Sequence, residues 1–439
     1  MCAIIISSMF TKKTVRDIDL RGKKVILHGE FDAPLSADGR EVTSDYRVAS
    51  TVPTIKYLQE QDCKIILISK LGRPEGKVDP KMSLKPVAAC LSGLMGQDVP
   101  FVTDCVGEEV KRAAEALQPG GLLMLENLRF HPEEEENSED FAKRIVADTG
   151  GEIFVQDCFA LAHRKEVGTD AITHCLPSVA GLHLEAEINA ITKVMESPEK
   201  PMAAIIGGAK IADKLAILNK FIEMADFVAI GGAMANTFFA AKGMKIGKSK
   251  YDADELELAR DILAKAEAKA KAGGFAFYLP HDGVVVKKLD KAEPTRLVDW
   301  DAALITEVQM YPKTPPAAMH TIADDEMIVD VGPVSAAFIG GAVQLAKTVV
   351  WNGTLGVTEI PALNGPVGPY AHGTELLIDS LTGDFGPRPF TLVGGGDTAG
   401  YIEQRQLTGA FNHVSTGGGA CLELMAGRVL PGVAALQDK

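Results

Sequence analysis

Several stretches of this chain set a fixed positive charge where a phosphate or carboxylate would need one. They are Lys70-Leu71-Gly72-Arg73, Glu126-Asn127-Leu128-Arg129, His163-Arg164, and Arg47 in the segment 43–47. The first three each follow a short apolar run. The planar guanidinium pairs in bidentate fashion with phosphate or carboxylate, which a lysine cannot do. One arginine after such a run is an ordinary surface residue. Arginines at three corresponding positions, in a chain of net charge −14, point to a converging anion site.

The second half carries a different chemistry at the equivalent places. Gly207-Gly208, Gly231-Gly232, Gly394-Gly395-Gly396 and Gly417-Gly418-Gly419 each follow an apolar run. Glycine lets backbone N–H groups approach a phosphate, and a following helix N-terminus favours its charge. Any single cluster reads as a tight turn, but four in one half indicate a nucleotide. Lys210 and Lys214 are spaced to share a helix face beside one of these turns. Asp397, directly after Gly396, is a candidate ligand for a magnesium–phosphate group, since Mg2+ prefers a carboxylate together with phosphates.

Two motif matches fail on their spacing. Gly243 to Ser249 resembles a P-loop, but three residues rather than four separate its glycines. Gly394 to Ala399 fits a dinucleotide fingerprint, yet the acidic residue expected about twenty positions on is missing.

The elements that must position these residues are short apolar runs, many of them β-branched, alternating with longer amphipathic stretches. Runs at 24–27, 64–68, 122–125, 153–155, 203–206, 227–230, 275–278, 327–329, 348–350 and 391–393 predict strands of buried parallel sheet. The fold class is therefore α/β, with two lobes, each a parallel β-sheet flanked by helices in a Rossmann-like manner. The expected boundaries are an acid-binding lobe at 1–184, a hinge helix and linker at 185–200, and a nucleotide-binding lobe at 201–423. Ile188, Ile191, Val194 and Met195 line one face of the hinge helix, which Pro198 and Pro201 bring to a stop. An anion-lined lobe and a glycine-lined lobe imply two ligands, and hinge closure would bring donor and acceptor together away from water. The acidic run 133–136 reads as a solvated helix start.

At 439 residues the chain exceeds one ordinary core, and its acidity argues against a nucleic-acid binder. No run reaches the ~20 apolar residues of a membrane span. The seven cysteines are scattered, without CxxC or CxxH pairs, so neither a disulfide framework nor a zinc site is indicated and a cytoplasmic setting fits. The apolar start 1–6 has no basic flank and makes a poor signal peptide. Met9 can serve as a second start, which would make 1–8 an extension.

Glu126 to His131, Gly207 to Lys214, Trp351-Asn352-Gly353, Gly394 to Thr398 and His413 to Ala420 together closely resemble the signatures of the phosphoglycerate kinases, in family order, with the resemblance running from about residue 12 to 435. The resemblance implies an N-terminal lobe for 3-phosphoglycerate, a C-terminal lobe for Mg2+ with ATP or ADP, a final segment at 424–439 that completes the first lobe, and a monomer. Position by position, it makes Arg47 the neutraliser of the transferred phosphoryl group and Arg73, Arg129 and Arg164 the cradle for the acid. It makes Lys214 the lysine that follows the phosphoryl group, with Lys210 beside it. Glu359 matches a ribose-binding carboxylate, and Asn352, Gly231 and Gly232 line the nucleotide pocket. Gly394, Gly395, Gly396, Asp397 and Thr398 hold phosphates and metal. Gly417, Gly418 and Gly419 supply N–H donors to the transferring group, so that Gly395 and Gly418 join Arg47 and Lys214 in the catalytic set.

Departures from the family pattern collect among the acid-binding loops. Glu30 and Asp32 stand where Asp and Asn are usual, Lys70 where a His is usual, and Glu166-Val167-Gly168 where His-Ser-Ser is usual. In the second lobe Ala233 replaces a glycine and Thr354 a proline. A new carboxylate beside an anionic substrate costs up to ~4 kcal/mol at contact in an effective dielectric of about 20. Asp32 and Lys70 are therefore expected to form a compensating pair. Two alternatives stay open on sequence alone: a related kinase with a shifted acid substrate, and a catalytically weak nucleotide-binding regulatory protein.

Overall fold

A computed structural model describes residues 10–300, 320–383 and 386–439. The apolar start, Cys2 and Met9 lie outside the described residues. The chain packs as two units, Met1–Lys193 with Thr416–Lys439, and Val194–Ser415. Helix Leu182–Glu196 spans the division between Lys193 and Val194. The return to the first unit comes at Thr416, earlier than the expected 424.

The first unit is built on β1 (Lys24–His28), β2 (Lys64–Ile68), β3 (Leu122–Met124), β4 (Ile153–Gln156) and β5 (Ser178–Ala180), in the order β3-β2-β1-β4-β5. All neighbours are parallel. Alternation along β1 and β2 explains why the residues after Lys24 and Lys64 run apolar, Val25 to Leu27 and Ile65 to Ile68. Val25, Leu27, Ile65 and Leu67 enter the core on one face. Ile26, Ile66 and Ile68 enter the core on the other. Each such side chain contributes roughly 1.5–3 kcal/mol through burial, so the sheet needs helices on both faces.

The second unit contains β6 (Met202–Ile206), β7 (Phe227–Ile230), β8 (Ala276–Tyr278), β9 (Asp282–Val286), β10 (Arg296–Asp299), β11 (Met327–Val331), β12 (Thr348–Asn352), β13 (Phe390–Gly394) and β14 (His413–Val414). Six of these form a sheet in the order β14-β13-β12-β6-β7-β8, parallel at every pair. The expected parallel strand at 327–329 is corrected here. It is the start of β11, which pairs antiparallel with β9 in a separate sheet of order β10-β9-β11. Its short apolar run is the same in either arrangement, because periodicity reports burial and not partner direction.

In each parallel sheet the strand order reverses once, between β1 and β4 and between β6 and β12. Ligands bind at such switch points, outside the carboxyl ends of the strands. Gly29 to Asp32 and the segment 157–164 leave the first switch point, and Gly207 and Asn352 the second.

The run 133–136 departs from its expected role as a solvated helix start. The helix begins at Glu139, where the Ser138 hydroxyl accepts the Phe141 N–H at 3.4 Å. Glu134 is fully buried. Its two carboxyl oxygens accept the Gly168 N–H at 3.2 Å each, a donor that would otherwise be stranded in the interior. Burial, reinforced by the neighbouring Glu166, pushes the Glu134 carboxyl up to about 8 from the ordinary 4.5. Between those values the folded protein holds a proton that the unfolded chain has lost, so stability falls as pH rises through that window. Glu134→Gln is expected to match the parent at pH 5 and to exceed it at pH 9 by at least ~1.4 kcal/mol, the worth of one pKa unit. Denaturant unfolding at the two pH values checks this; an equal loss of stability at both would refute it.

No described helix is long and apolar enough to cross a membrane. The described cysteines are free, and burial pushes the Cys63 thiol up to about 11, as suits a core residue.

Candidate active site

The first unit gathers its cations at the carboxyl ends of β1 to β4. Glu30 and Asp32 follow β1, Lys70 and Arg73 follow β2, Arg129 follows β3, and Arg164 lies beyond β4. Arg47 is the second residue of helix Tyr46–Glu60. Its Nη1 donates to the Asp32 carbonyl at 3.0 Å and lies 3.7 Å from the Asp32 carboxylate. Lys70 makes an ion pair with Asp32, whose other oxygen accepts the Gly72 N–H at 3.0 Å. Burial alone would raise the Asp32 carboxyl, but Lys70, the Gly72 N–H and Arg47 together hold it below the ordinary range. The pair expected from the sequence is therefore formed.

Glu30 is fully buried. One of its oxygens accepts the Ala160 N–H at 2.9 Å and so fastens the β4 loop to the β1 loop; the other has no partner among the described residues. Arg73 is exposed. Arg129 is not: its side chain is 2% exposed and pairs with Glu166 at 2.6 Å.

Asn127 and Glu126 carry functions that the sequence did not reveal. Asn127 Nδ2 donates to the carbonyls of Leu71 and Met82, and its Oδ1 accepts the N–H groups of Leu71 and Arg129. Glu126 accepts from Leu84 N–H and the Ser83 hydroxyl. These two residues lash the β3 loop to the β2 loop, which fixes where Arg129 sits. A polar residue before an arginine offers no sign of this, because the partners that join the two loops, Leu71, Met82, Ser83 and Leu84, are distant in sequence.

The glycine cluster at 417–419 also moves. Helix Gly418–Met425 packs with the first unit, so three of the four clusters, not four, remain in the second unit. A Cβ at Gly417 would meet the Phe159 ring at 2.5 Å, and one at Gly419 would meet His163 at 3.0 Å. Thr416 is tied to Glu187 by its N–H at 2.7 Å and its hydroxyl at 3.0 Å.

In the second unit the loops after β6 and β12 pass backbone to backbone. Gly353 has φ +100, and a Cβ there would lie 2.3 Å from the Gly207 carbonyl carbon. Trp351 is fully buried and its indole N–H donates to Gly353 O at 2.8 Å, which holds the turn. Thr398, expected at the phosphates, accepts the Gly353 N–H at 2.7 Å and is buried. Gly395, with φ +97, precedes helix Gly396–Gln404, and Asn352 Nδ2, without a partner among the described residues, would stand 3.1 Å from a Cβ there. Asp397 is exposed in the first turn of that helix.

Lys214 ends the 3-10 turn Ala212–Lys214, and the α-helix starts only at Leu215. Lys210 precedes that turn and is exposed, so the two lysines do not share a helix face as their spacing suggested. The Lys214 ammonium donates to Gly207 O at 2.6 Å and to Asn352 O at 3.3 Å. Desolvation lowers it to about 8, against the opposing pull of Asp397 and Asp213.

Beside this group lies a cavity of 390 Å³, lined by Gly208, Gly232, Leu289, Val329, Leu355, Glu359 and Asp397 among others. Its apolar walls and few polar groups suit a flat aromatic ligand with a charged end. Asp330 also lines it, a residue missed in the sequence. It accepts the Gly373 N–H at 3.0 Å, and burial raises it to about 7.

The chain is similar to known proteins over nearly its whole length. The family profile described as phosphoglycerate kinase matches residues 15–428. A phosphoglycerate kinase of Moorella thermoacetica is 40% identical over 428 residues, covering 98% of this chain and 100% of that protein. A cytosolic one of Triticum aestivum is 40% identical over 436 residues, with 98% and 100% covered. A chloroplastic one of Volvox carteri is 39% identical, with 98% and 87% covered. Among solved structures, phosphoglycerate kinase from Coxiella burnetii superposes with a TM-score of 0.76 at 31% identity, covering 97% of this chain and 98% of that one. The enzyme from Pyrococcus horikoshii gives 0.79 at 27% identity, with the same coverage. Neither a shifted-substrate kinase nor a weak regulatory protein is favoured by these likenesses. With arginines at the strand ends of one sheet, a desolvated lysine and a glycine-lined cavity at those of another, and this agreement over nearly its whole length, the chain belongs to the phosphoglycerate kinase family.

Proposed function

We propose that this chain moves a phosphoryl group reversibly between 1,3-bisphosphoglycerate with ADP and 3-phosphoglycerate with ATP, using the residues described above. The observation that carries the reading is Lys214, a desolvated ammonium held by two backbone carbonyls at the switch point of the second sheet and faced by Asp397. Phosphoryl transfer asks little covalent chemistry of a protein and much positioning and charge neutralisation.

In this reading the acid lies over the loops after β1 to β4. Lys70, Arg73, Arg129 and Arg164 hold its anionic groups, with Glu30 and Asp32 shaping the site, and Arg47 faces the transferred group. The nucleotide base enters the apolar cavity, Glu359 takes the ribose, and the phosphates run past Gly394, Gly395 and Gly396. Lys214 stays with the phosphoryl group in transit, with Lys210 nearby. The N–H groups at Gly417, Gly418 and Gly419 stabilise its oxygens. Asp397 fits a hard cation, as an exposed carboxylate lining the cavity, and Mg2+ held there with the phosphates would neutralise their charge. Magnesium dependence, hinge closure, a monomeric state and a cytoplasmic location belong to the same proposal.

A coupled assay with ATP, Mg2+ and 3-phosphoglycerate, following consumption of the 1,3-bisphosphoglycerate formed, tests it. Nucleotide binding without turnover would overturn it. The Asp32–Lys70 pair has its own test. A double-mutant cycle of Asp32→Asn and Lys70→Met, read in affinity for 3-phosphoglycerate, is expected to show coupling of about 0.5–3 kcal/mol, as for charges in contact. Additive effects would mean that the two residues act independently.

A further inference from the structure

The acid-binding loops carry an anion of their own. Arg129 Nη2 donates to Glu166 Oε1 at 2.6 Å, and Arg164 Nη1 reaches the same oxygen at 3.3 Å. Both members of the Arg129–Glu166 pair are nearly inaccessible, with side chains 2% and 4% exposed. The second carboxylate oxygen, Oε2, is buried without a partner among the described residues. Arg129 is further engaged by the Gly72 carbonyl at 2.9 Å and by Glu135 at 3.3 Å from Nε.

The carboxylate cannot readily swing aside to admit a ligand. The Glu166 N–H donates to the Thr169 hydroxyl at 3.0 Å, and that hydroxyl donates to Arg164 O at 2.8 Å. Two residues further on, Gly168 is gripped from both sides, its N–H by Glu134 and its carbonyl by His28 Nδ1 at 2.6 Å. Burial drives His28 down to about 4, so the ring is neutral and donates this bond. The loop is thus fixed at Glu166, Gly168 and Thr169, with Glu166 aimed at two guanidiniums.

A buried carboxylate that shares one oxygen between two arginines and leaves the other unpaired is a poor stabilising arrangement. It does change what the arginines offer. Arg164, 37% exposed, keeps donors open to a ligand while Arg129 acts from beneath it, and any anion arriving there feels two positive charges reduced by the buried charge of Glu166 and by the half-exposed Glu135. We propose that Glu166 is a specificity-determining positioning residue, an internal counter-ion that orients Arg129 and Arg164 while lowering the site's affinity for anions. A simple anion such as inorganic phosphate is thereby held weakly. The acid substrate retains affinity through its additional contacts at Lys70 and Arg73. This inference rests on the assignment of the acid site to these loops.

Glu166→Gln keeps the shape and removes the charge. It is expected to tighten binding of 3-phosphoglycerate, measured calorimetrically without nucleotide, by roughly tenfold at low salt, and that of inorganic phosphate by at least as much. The gain should shrink at high ionic strength, and KM should fall with no rise in kcat. Glu166→Asp, which restores the charge, should return both affinities toward the parent. Unchanged or weaker binding of both anions in a folded Glu166→Gln protein would overturn the proposal, since a purely structural anchor predicts that outcome. Should Glu166→Gln fail to fold, Glu166→Ser is read in the same way. Arg129→Ala separates the two levels. If it leaves 3-phosphoglycerate binding intact, the site assignment itself fails; if it abolishes binding while Glu166→Gln changes nothing, only the counter-ion inference fails.

Discussion

Lys214→Ala is expected to lower kcat by about a thousandfold, the upper end of what losing one oriented charge at a transition state costs. The fold should survive, because the ammonium contributes only hydrogen bonds to two backbone carbonyls, Gly207 O and Asn352 O, at the end of its stem. Nucleotide affinity should change much less than kcat, since an interaction strongest in the transition state appears in turnover rather than in ground-state binding. The lowered titration of this lysine adds a second signature. Desolvation brings it to about 8, so in the free enzyme the charged form is lost as pH rises through that value. A kcat/KM profile should therefore fall on its alkaline side near pH 8, and the limb in kcat should lie higher, because bound phosphates favour the charged form. In stability the sign is opposite. The folded lysine releases its proton before the unfolded one, so the protein gains stability between about pH 8 and 10.5. Lys214→Arg, whose charge does not titrate, should lose the alkaline limb whatever its rate. A kcat within tenfold of the parent in Lys214→Ala would remove this residue from the transfer step.

Arg47→Ala should cost about a hundredfold in kcat. Its Nη1 is occupied by the Asp32 carbonyl and lies near the Asp32 carboxylate, which sets the plane of the guanidinium while other donors stay available. The side chain is about one quarter exposed, at 26%, so its removal should leave denaturant unfolding within ~1 kcal/mol of the parent. Arg47→Lys should recover little, because a point charge cannot reproduce two parallel N–H bonds. Steady-state kinetics distinguish the alternatives. A rise in KM with kcat unchanged would mean that Arg47 binds the ground state and the transition state equally well.

Much of this protein was legible in one dimension. The apolar runs marked nine of the ten parallel-sheet strands that were expected, and arginine in one half and glycine in the other marked the loops at their carboxyl ends. These are local properties. An apolar run is buried whatever its partner, and glycine frees the backbone wherever the chain later goes. The strands β5 and β14 escaped notice because two or three residues of mixed composition carry little signal, and β9 and β10 because Asp282-Gly283 and the charged ends Arg296 and Asp299 cut their apolar runs short.

Tertiary structure decided whatever depended on partners distant in the chain. It paired Met327–Val331 antiparallel, buried Glu134 from an acidic run because Gly168 needed an acceptor, and moved Gly417, Gly418 and Gly419 to the unit that carries the arginines. It made Asn127 and Glu126 the fasteners of two loops and set Glu166 against Arg129. The reason is the same in each case. A charge or a hydrogen-bond donor in the interior must be satisfied by whichever group the packing brings near it, and residue type alone does not name that group.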